Sequence, residues 1–479
     1  MLKIIISSYL ILSCSISFSQ ELVRELKINL GNKTDAFQIV EEQKKQVAFF
    51  FSDKTTIKTI RFNDNFEVID SIVTSRPTKD YDKVVGYSIT DNKYFAYWSD
   101  NKKMLAQCFD FDSQLVTSKN FNLEFGDEKI LKKITINNVF YIITVLKNSS
   151  VLNFYVYGNN TFEKKTIDLS GKKFLGKENK VELLWDLLSR GDAYELPFSF
   201  KNISNESPPS LVFSSCKRKV YTQGNNVVFT IDISKRFTQL ISVNLNDFTF
   251  FQKSYNQPYV EETLSVSGGV DSNSFFTDNQ LIQMKLNTEK MLLSIKDLEG
   301  NELKSFEVID GEEIAFKNSD IIQENKDIKN TRILDKSSQL LRKIYYQNPS
   351  VSCYSFNNKK YLSIGSVSDP ENGNANLYTI GAMYGFMGSL LATALSSNYS
   401  MDNLNSYKGR KVVYVNCQFD SNFNHIDGEL KKLAFDELRI FADTKKKLLS
   451  QTVFKLNSNL YFGGYDTLNE TYSFYKFKD

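Results

Sequence analysis

The chain has 479 residues, of which 41% are hydrophobic and 24% charged, with a formal net charge of +3. So even a balance excludes the strongly basic footprint of a nucleic-acid or anionic-membrane binder. The aromatic content, 38 Phe and 25 Tyr against 2 Trp, suits half-buried strands around a large core.

Residues 1–19 read as an export signal, with Lys3 as the positive start and Ile4 to Leu12 as a short apolar run. Ser17-Phe18-Ser19 offers a cleavage site, leaving Gln20 or Glu21 as the mature start. Ile11-Leu12-Ser13-Cys14 also reads as a lipobox with Cys14 as candidate lipidation residue, although Ile11 and Leu12 depart from its usual residues. Glu21 to Leu30 then reads as a strand with no unit of its own.

Seven strand-pair units follow. The first runs Val47–Ser52, Ile57–Phe62 and Phe66–Val73; the second Tyr94–Trp98, Met104–Phe109 and Leu115–Leu123. The third is Phe140–Leu146, Val151–Tyr157 and Phe162–Leu169; the fourth Val227–Ile233, Thr238–Val243 and Phe248–Tyr255. The fifth is Leu281–Leu286, Met291–Ile295 and Leu303–Ile309; the sixth Tyr361–Val367, Lys411–Phe419 and Phe423–Ile426. The seventh has Leu460–Tyr465 and Tyr472–Phe477 and stops one strand short at Asp479. Additional strands such as Val84–Thr90 and Ile130–Ile136 precede the units and are expected to be innermost.

A hairpin signature recurs at the turns: Phe62-Asn63-Asp64-Asn65-Phe66, Phe109-Asp110-Phe111-Asp112, Val243-Asn244-Leu245-Asn246-Asp247-Phe248, Leu298-Glu299-Gly300-Asn301 and Phe419-Asp420-Ser421-Asn422-Phe423. Val47, Tyr94 and Phe140 lie about 46 residues apart, near the period of a four-stranded blade. A small sheet cannot bury both faces alone, whereas a ring of sheets can. The expected fold is therefore all-β: one seven-bladed β-propeller over residues 20–479, closed when the N-terminal strand completes the seventh blade and leaves no open edge.

Four long insertions break the spacing, at 170–211, 310–349, 368–410 and 430–446. Connections in an up-and-down blade alternate between faces, so all four are expected to cap one face, where long loops usually carry function. Three contain helical patterns: Val181, Leu183, Leu184, Leu187 and Leu188; Ile333, Leu334, Leu340, Leu341 and Ile344; and Leu430, Leu433, Ala434, Leu438 and Phe441. Burial of each apolar stripe against the disc is the plain alternative to a functional cap.

Residues 377–400 carry no charge and contain Met383, Phe386, Met387, Leu390 and Leu391. A membrane crossing there would part Tyr361–Val367 from Lys411–Phe419, which should be neighbours. Three readings stay open: a helix buried against the cap, a surface for a partner protein, or a membrane-interface segment. Trp185, Arg190, Tyr345 and Tyr346 join the partner-binding candidates, because aromatic and arginine side chains are enriched at binding hot spots.

Conventional catalytic constellations are lacking. His425 is the only histidine, which argues against a His-based zinc site or a Ser-His-Asp triad. Glu261-Glu262 and Glu312-Glu313 read as solvated loop charges, and Asp369-Pro370-Glu371-Asn372-Gly373-Asn374 lacks the order of a calcium loop. Cys108, Cys216, Cys353 and Cys417 are scattered and read as buried free thiols within strands. No catalytic residue, metal or cofactor is assigned.

The signal ending in Phe18-Ser19-Gln20, the Asn/Lys-rich strands and the repeated hairpins resemble exported β-propeller proteins of the Bacteroidota. Asp70-Ser71-Ile72 and Asp466-Thr467-Leu468 look like O-glycan acceptor sites of such bacteria. The resemblance implies a periplasmic, outer-membrane or extracellular location. The expected role is a non-catalytic scaffold that binds an envelope protein, with a membrane interface as a further partner and no nucleic acid. The alternative is a carbohydrate-active or peptide-processing enzyme with carboxylates at the channel mouth.

Overall fold

The computed structural model describes residues 20–30, 35–78, 80–81, 83–99, 103–122, 124–158, 161–189, 200–203, 207–262, 269–370 and 401–479. The export and lipidation readings, Cys14 included, lie outside these residues, as do Arg190 and the whole 377–400 segment.

The fold is all-β and propeller-like. Among the described residues there are seven sheets of four or five strands and one two-stranded sheet, Phe174–Leu175 with Val181–Glu182. The first sheet runs Asp35–Glu41, Gln46–Ser52, Thr56–Phe62 and Val68–Ser75 in sequence order, each strand antiparallel to the next. The second (Lys83–Asn122), third (Glu128–Asp168) and fifth (Asp271–Ile309) follow the same plan.

Phe and Tyr concentrate where successive sheets meet. Phe50 packs on Phe109 at 5.0 Å between ring centroids, Tyr97 on Phe140 at 4.7 Å, and Phe154 on Phe248 at 5.9 Å. Tyr221 meets Phe275 at 5.4 Å, Phe306 meets Phe419 at 5.1 Å, and Phe49 meets Phe474 at 4.7 Å. Such pairs contribute about 0.5–1.5 kcal/mol each beyond the area they bury. The sixth and seventh sheets are joined through the helix Ala434–Thr444, whose Leu438 and Phe441 pack against Phe462 and Phe477.

The seventh sheet takes strands from both ends of the sequence. Gln20–Lys27 lies antiparallel to Thr471–Phe477, with Gln20 opposite Phe477 and Lys27 opposite Thr471. The other strands of that sheet are Asn459–Asp466 and Leu449–Leu456.

Two sheets depart from the simple plan. In the fourth, Phe200–Ile203 pairs in parallel with Arg218–Gln223, beyond the strand expected to be innermost. In the sixth, the order is Asp327–Leu334, Ile321–Asn325, Lys411–Asp420, Lys359–Val367 and Asn348–Phe356. Its outer strands therefore come from the segment 310–349. Phe423–Ile426, expected as the third strand of this unit, makes only a bridge from His425 to Phe419. Likewise Ile333 and Leu334, read as helical, end a strand, and the helix begins at Ser337.

The recurring turn has a specific chemistry. The side chain of Asn63 accepts from the backbone N–H groups of Asn65 and Glu67, and Asp420 accepts from those of Asn422 and Asn424. Asp110, Asn244 and Asp297 make the same kind of closure. Phe66, Phe248 and Phe423 were expected to open the following strands. Instead each ends its turn with φ near +60° (60°, 58° and 59°), outside the strand. Their burial against neighbouring sheets offsets the cost of that conformation.

Candidate functional site

Segments far apart in sequence lock together by side-chain contacts. The Asn403 side chain accepts from the Ser210 backbone N–H at 2.9 Å and donates to the Pro208 carbonyl at 3.1 Å. The Tyr407 hydroxyl accepts from the Leu211 N–H at 3.1 Å. Arg439 lies over the Tyr407 ring at 4.5 Å and clamps Glu324 with two hydrogen bonds of 2.9 and 2.6 Å. Tyr414 donates to the same Glu324 oxygen at 2.8 Å. Burial opposes the Arg439 charge, yet the Glu324 carboxylate overrides it and raises the guanidinium above its ordinary range. Burial pushes the Tyr407 phenol up to about 12.

Beside this junction lies a cluster of charged groups. Lys132 sits on Glu128–Ile136, just past a β-bulge between Ile130 and Lys132. Bulges re-aim side chains and occur often beside functional sites. Lys201 belongs to the parallel strand Phe200–Ile203, opposite Lys219, with its ammonium over the Phe213 ring at 4.9 Å. Asp402 is in the first turn of the helix Met401–Asn405, and Arg410 follows that helix. Arg410 donates through Nη1 to the Ser368 carbonyl at 2.9 Å, while its Nε is buried with no acceptor.

The electrostatics follow from enclosure. Burial pulls the Lys132 ammonium down to about 8; nearby Lys201 adds to the fall and Asp402 opposes it. Burial raises the Asp402 carboxyl to about 6 despite Lys201 and Lys132. Lys201 is lowered chiefly by burial, and so is Arg410.

The neighbouring Lys219–Asp232 pair is self-contained. Both side chains are fully buried and lie 3.0 Å apart. Lys219 also donates to the Cys216 carbonyl at 2.7 Å, and Asp232 accepts from the hydroxyls of Thr238 and Ser274. Burial works to raise the Asp232 carboxyl, but Lys219 and the two hydroxyls hold it below its usual range.

Of the partner-binding candidates singled out from the sequence, the described residues are Trp185, Tyr345 and Tyr346, and Trp185 packs on a different core cluster from Tyr345. Trp185 is half-buried against the core between the third and fourth sheets. Tyr345 accepts from the Gly269 N–H at 3.0 Å and packs on the core of the fifth and sixth sheets, while Tyr346 is 60% exposed beside it. Met383, Phe386, Met387, Leu390, Leu391 and Arg190 lie outside the described residues.

His425 is tied to Asn318 and Asp427 beside the Phe419 ring. The carboxylates of Glu261, Glu262, Glu312 and Glu313 are exposed. Cys108, Cys353 and Cys417 are buried free thiols in strands; Cys216 forms no disulfide either and is half-buried in the link before Arg218 rather than within a strand. Among the described residues no three metal-donating side chains come together. No described helix is long and apolar enough to cross a membrane.

No protein-family model matches the chain, and no curated protein matches it. Among solved structures, two prolyl endopeptidases studied together are represented by one match with a TM-score of 0.31 and 9% identity, covering 69% of this chain and 39% of that one. A Synechocystis apocarotenoid oxygenase mutant matches at a TM-score of 0.28 and 8% identity, covering 59% and 62%. A protein from Lactobacillus plantarum matches at 0.26 and 8% identity, covering 68% and 79%. The chain spans less than two thirds of the first solved structures it matches. These likenesses are too distant to transfer chemistry.

Proposed function

We propose that the seven sheets form one closed propeller and that the protein is an exported, non-catalytic binding component of the cell envelope. Its working surface is the end where the segments 170–211, 310–349, 368–410 and 430–446 converge. The observation that carries this reading is the interlocked junction of Asn403, Ser210, Tyr407, Leu211, Arg439 and Glu324, which draws one residue or more from each segment. Long excursions that merely covered the sheets would not need a buried bidentate ion pair to fix their mutual position. A fixed surface lowers the ordering cost of binding. The aromatic contacts from sheet to sheet, together with the pairing of the first and last strands, support closure.

The partner in this reading is an envelope protein, engaged through this end and the uncharged 377–400 segment between its strands. A pull-down from solubilised envelopes compares the intact protein with a variant lacking residues 377–400. Loss of the specific partners from the deleted variant is expected; an unchanged set of partners overturns the reading. The enzyme alternative calls for two converging carboxylates. Among the described residues, the carboxylate facing Lys132 and Lys201 is Asp402 alone.

A further inference from the structure

In the propeller-like arrangement each of the seven large sheets has one outer strand that pairs on one side alone. Such an edge invites another strand, and proteins blunt it with charge, above all with lysine. Lys119, Lys165, Lys253, Lys304, Lys329 and Arg24 stand on six of these strands, one on each. Val68–Ser75, the outer strand of the first sheet, has neither lysine nor arginine. Its one charged residue is Asp70, which Arg61 clamps from the neighbouring strand, Nε to Oδ1 at 3.0 Å and Nη2 to Oδ2 at 2.5 Å. The rest of the strand is Val, Ile, Ser and Thr, with Val68 46%, Ile69 41% and Val73 63% exposed.

The backbone of this edge is laid out for pairing. Its register slips once, at Ile69, and from Asp70 to Ser75 it runs without interruption. Arg76 donates its N–H inward to the Thr55 carbonyl. Counting back by twos, Thr74, Ile72 and Asp70 also turn N–H and C=O toward the neighbouring strand. Ser71, Val73 and Ser75 therefore turn theirs outward, and no strand among the described residues takes them up.

We propose that Val68–Ser75 pairs antiparallel with the same strand of a second copy of this chain, about a two-fold axis at Val73. A two-fold contact sets each residue against its mirror position, so it demands a strand that complements itself. Centred on Val73, the pairing joins the three outward-facing residues in hydrogen-bonded pairs: Val73 with Val73, and Ser71 with Ser75 of the other copy. Between them Ile72 meets Thr74, and Asp70 meets the opposite charge of Arg76. No like charges face one another, and cross-strand pairs of β-branched and hydroxyl side chains are favourable. The net charge of +3 on 479 residues gives two copies little long-range repulsion. This surface is separate from the converging segments of the proposed working end, so the inference stands or falls apart from that reading.

The test is sedimentation velocity of the full chain over roughly 10–200 µM, because one strand pair buries less than the ~1,600 Å² of a standard interface. A concentration-dependent dimer is expected. Val73→Lys and Val73→Glu each place two like charges face to face and should weaken the dimer by roughly tenfold or more. An equimolar mixture of the two variants should restore it as a heterodimer. Val73 is exposed, so both variants should keep the far-ultraviolet circular dichroism and urea midpoint of the intact protein. Leu115→Lys, at a 61% exposed site on the outer strand of the second sheet, should leave the dimer intact. A monomer at every concentration overturns the proposal, as does a dimer that survives Val73→Lys or a mixture that stays monomeric. None of these results bears on partner capture through residues 377–400.

Discussion

Glu324 is 2% exposed and satisfies its carboxylate with two donors from Arg439 and one from Tyr414. Removing the guanidinium leaves that charge buried with only a phenol to hold it. Breaking such a pair from one side costs about 3–5 kcal/mol. Arg439→Met is therefore expected to lower the unfolding free energy by that amount in urea titration, and the double variant Glu324→Gln/Arg439→Met to recover most of the loss. Equal losses in both would mean that packing of the arginine stem, not charge, holds the junction. Little of this was legible in the sequence, because Glu324 and Arg439 belong to no motif and pair only through tertiary contact. The charged cluster was hidden for the same reason. A clue did exist at Lys132: Ile130-Leu131-Lys132-Lys133-Ile134 puts two lysines side by side in a strand, where strict alternation cannot turn both to one face. That pattern points to a bulge or an enclosed charge.

The hairpins show why some elements were readable. Asn or Asp at the start of each turn captures backbone N–H groups two to four residues ahead, a local interaction that needs no distant partner. The phenylalanines that close three of these turns were misplaced by a few residues because tertiary burial overrides their strand preference. The sixth sheet was harder. Its outer strands precede its inner strands in the sequence, reversing the order that the earlier units teach. The Lys359–Val367 and Lys411–Asp420 strands also approach unusually closely at Gly365. A Cβ there would lie 2.0 Å from the Val413 carbonyl oxygen and 2.8 Å from the Tyr414 Cα. Gly365→Ala must push the strands apart, at a cost of about 1–3 kcal/mol. Hydrogen exchange should quicken at residues 363–367 and 412–415, and unchanged protection there would refute the close approach.

At the scale of the whole molecule, Gln20–Lys27 covers an edge of the last sheet. Val23 and Leu26, both half-buried, pack onto the core shared by the first and seventh sheets, and each is worth about 1 kcal/mol. Deletion of residues 20–27 should lower stability by about 2 kcal/mol or more in urea titration. It also bares the Thr471–Phe477 edge, so size-exclusion chromatography should show association through that strand. A monomeric variant of unaltered stability would contradict this role. The pairing was foreseeable because Glu21–Leu30 had strand character without a unit, while the last unit lacked a strand. The inner parallel strand Phe200–Ile203 carried no comparable signal: four residues are too few to show a periodicity.

The meeting of the first and last strands sets an order of events during biosynthesis. The Gln20–Lys27 strand must wait for its partner Thr471–Phe477 until nearly all of the chain has been made. At ribosomal rates of roughly 5–20 residues per second, that delay is about 20 to 90 s. Throughout it the seventh sheet cannot be completed, which leaves chaperones a nascent chain with an unpaired strand.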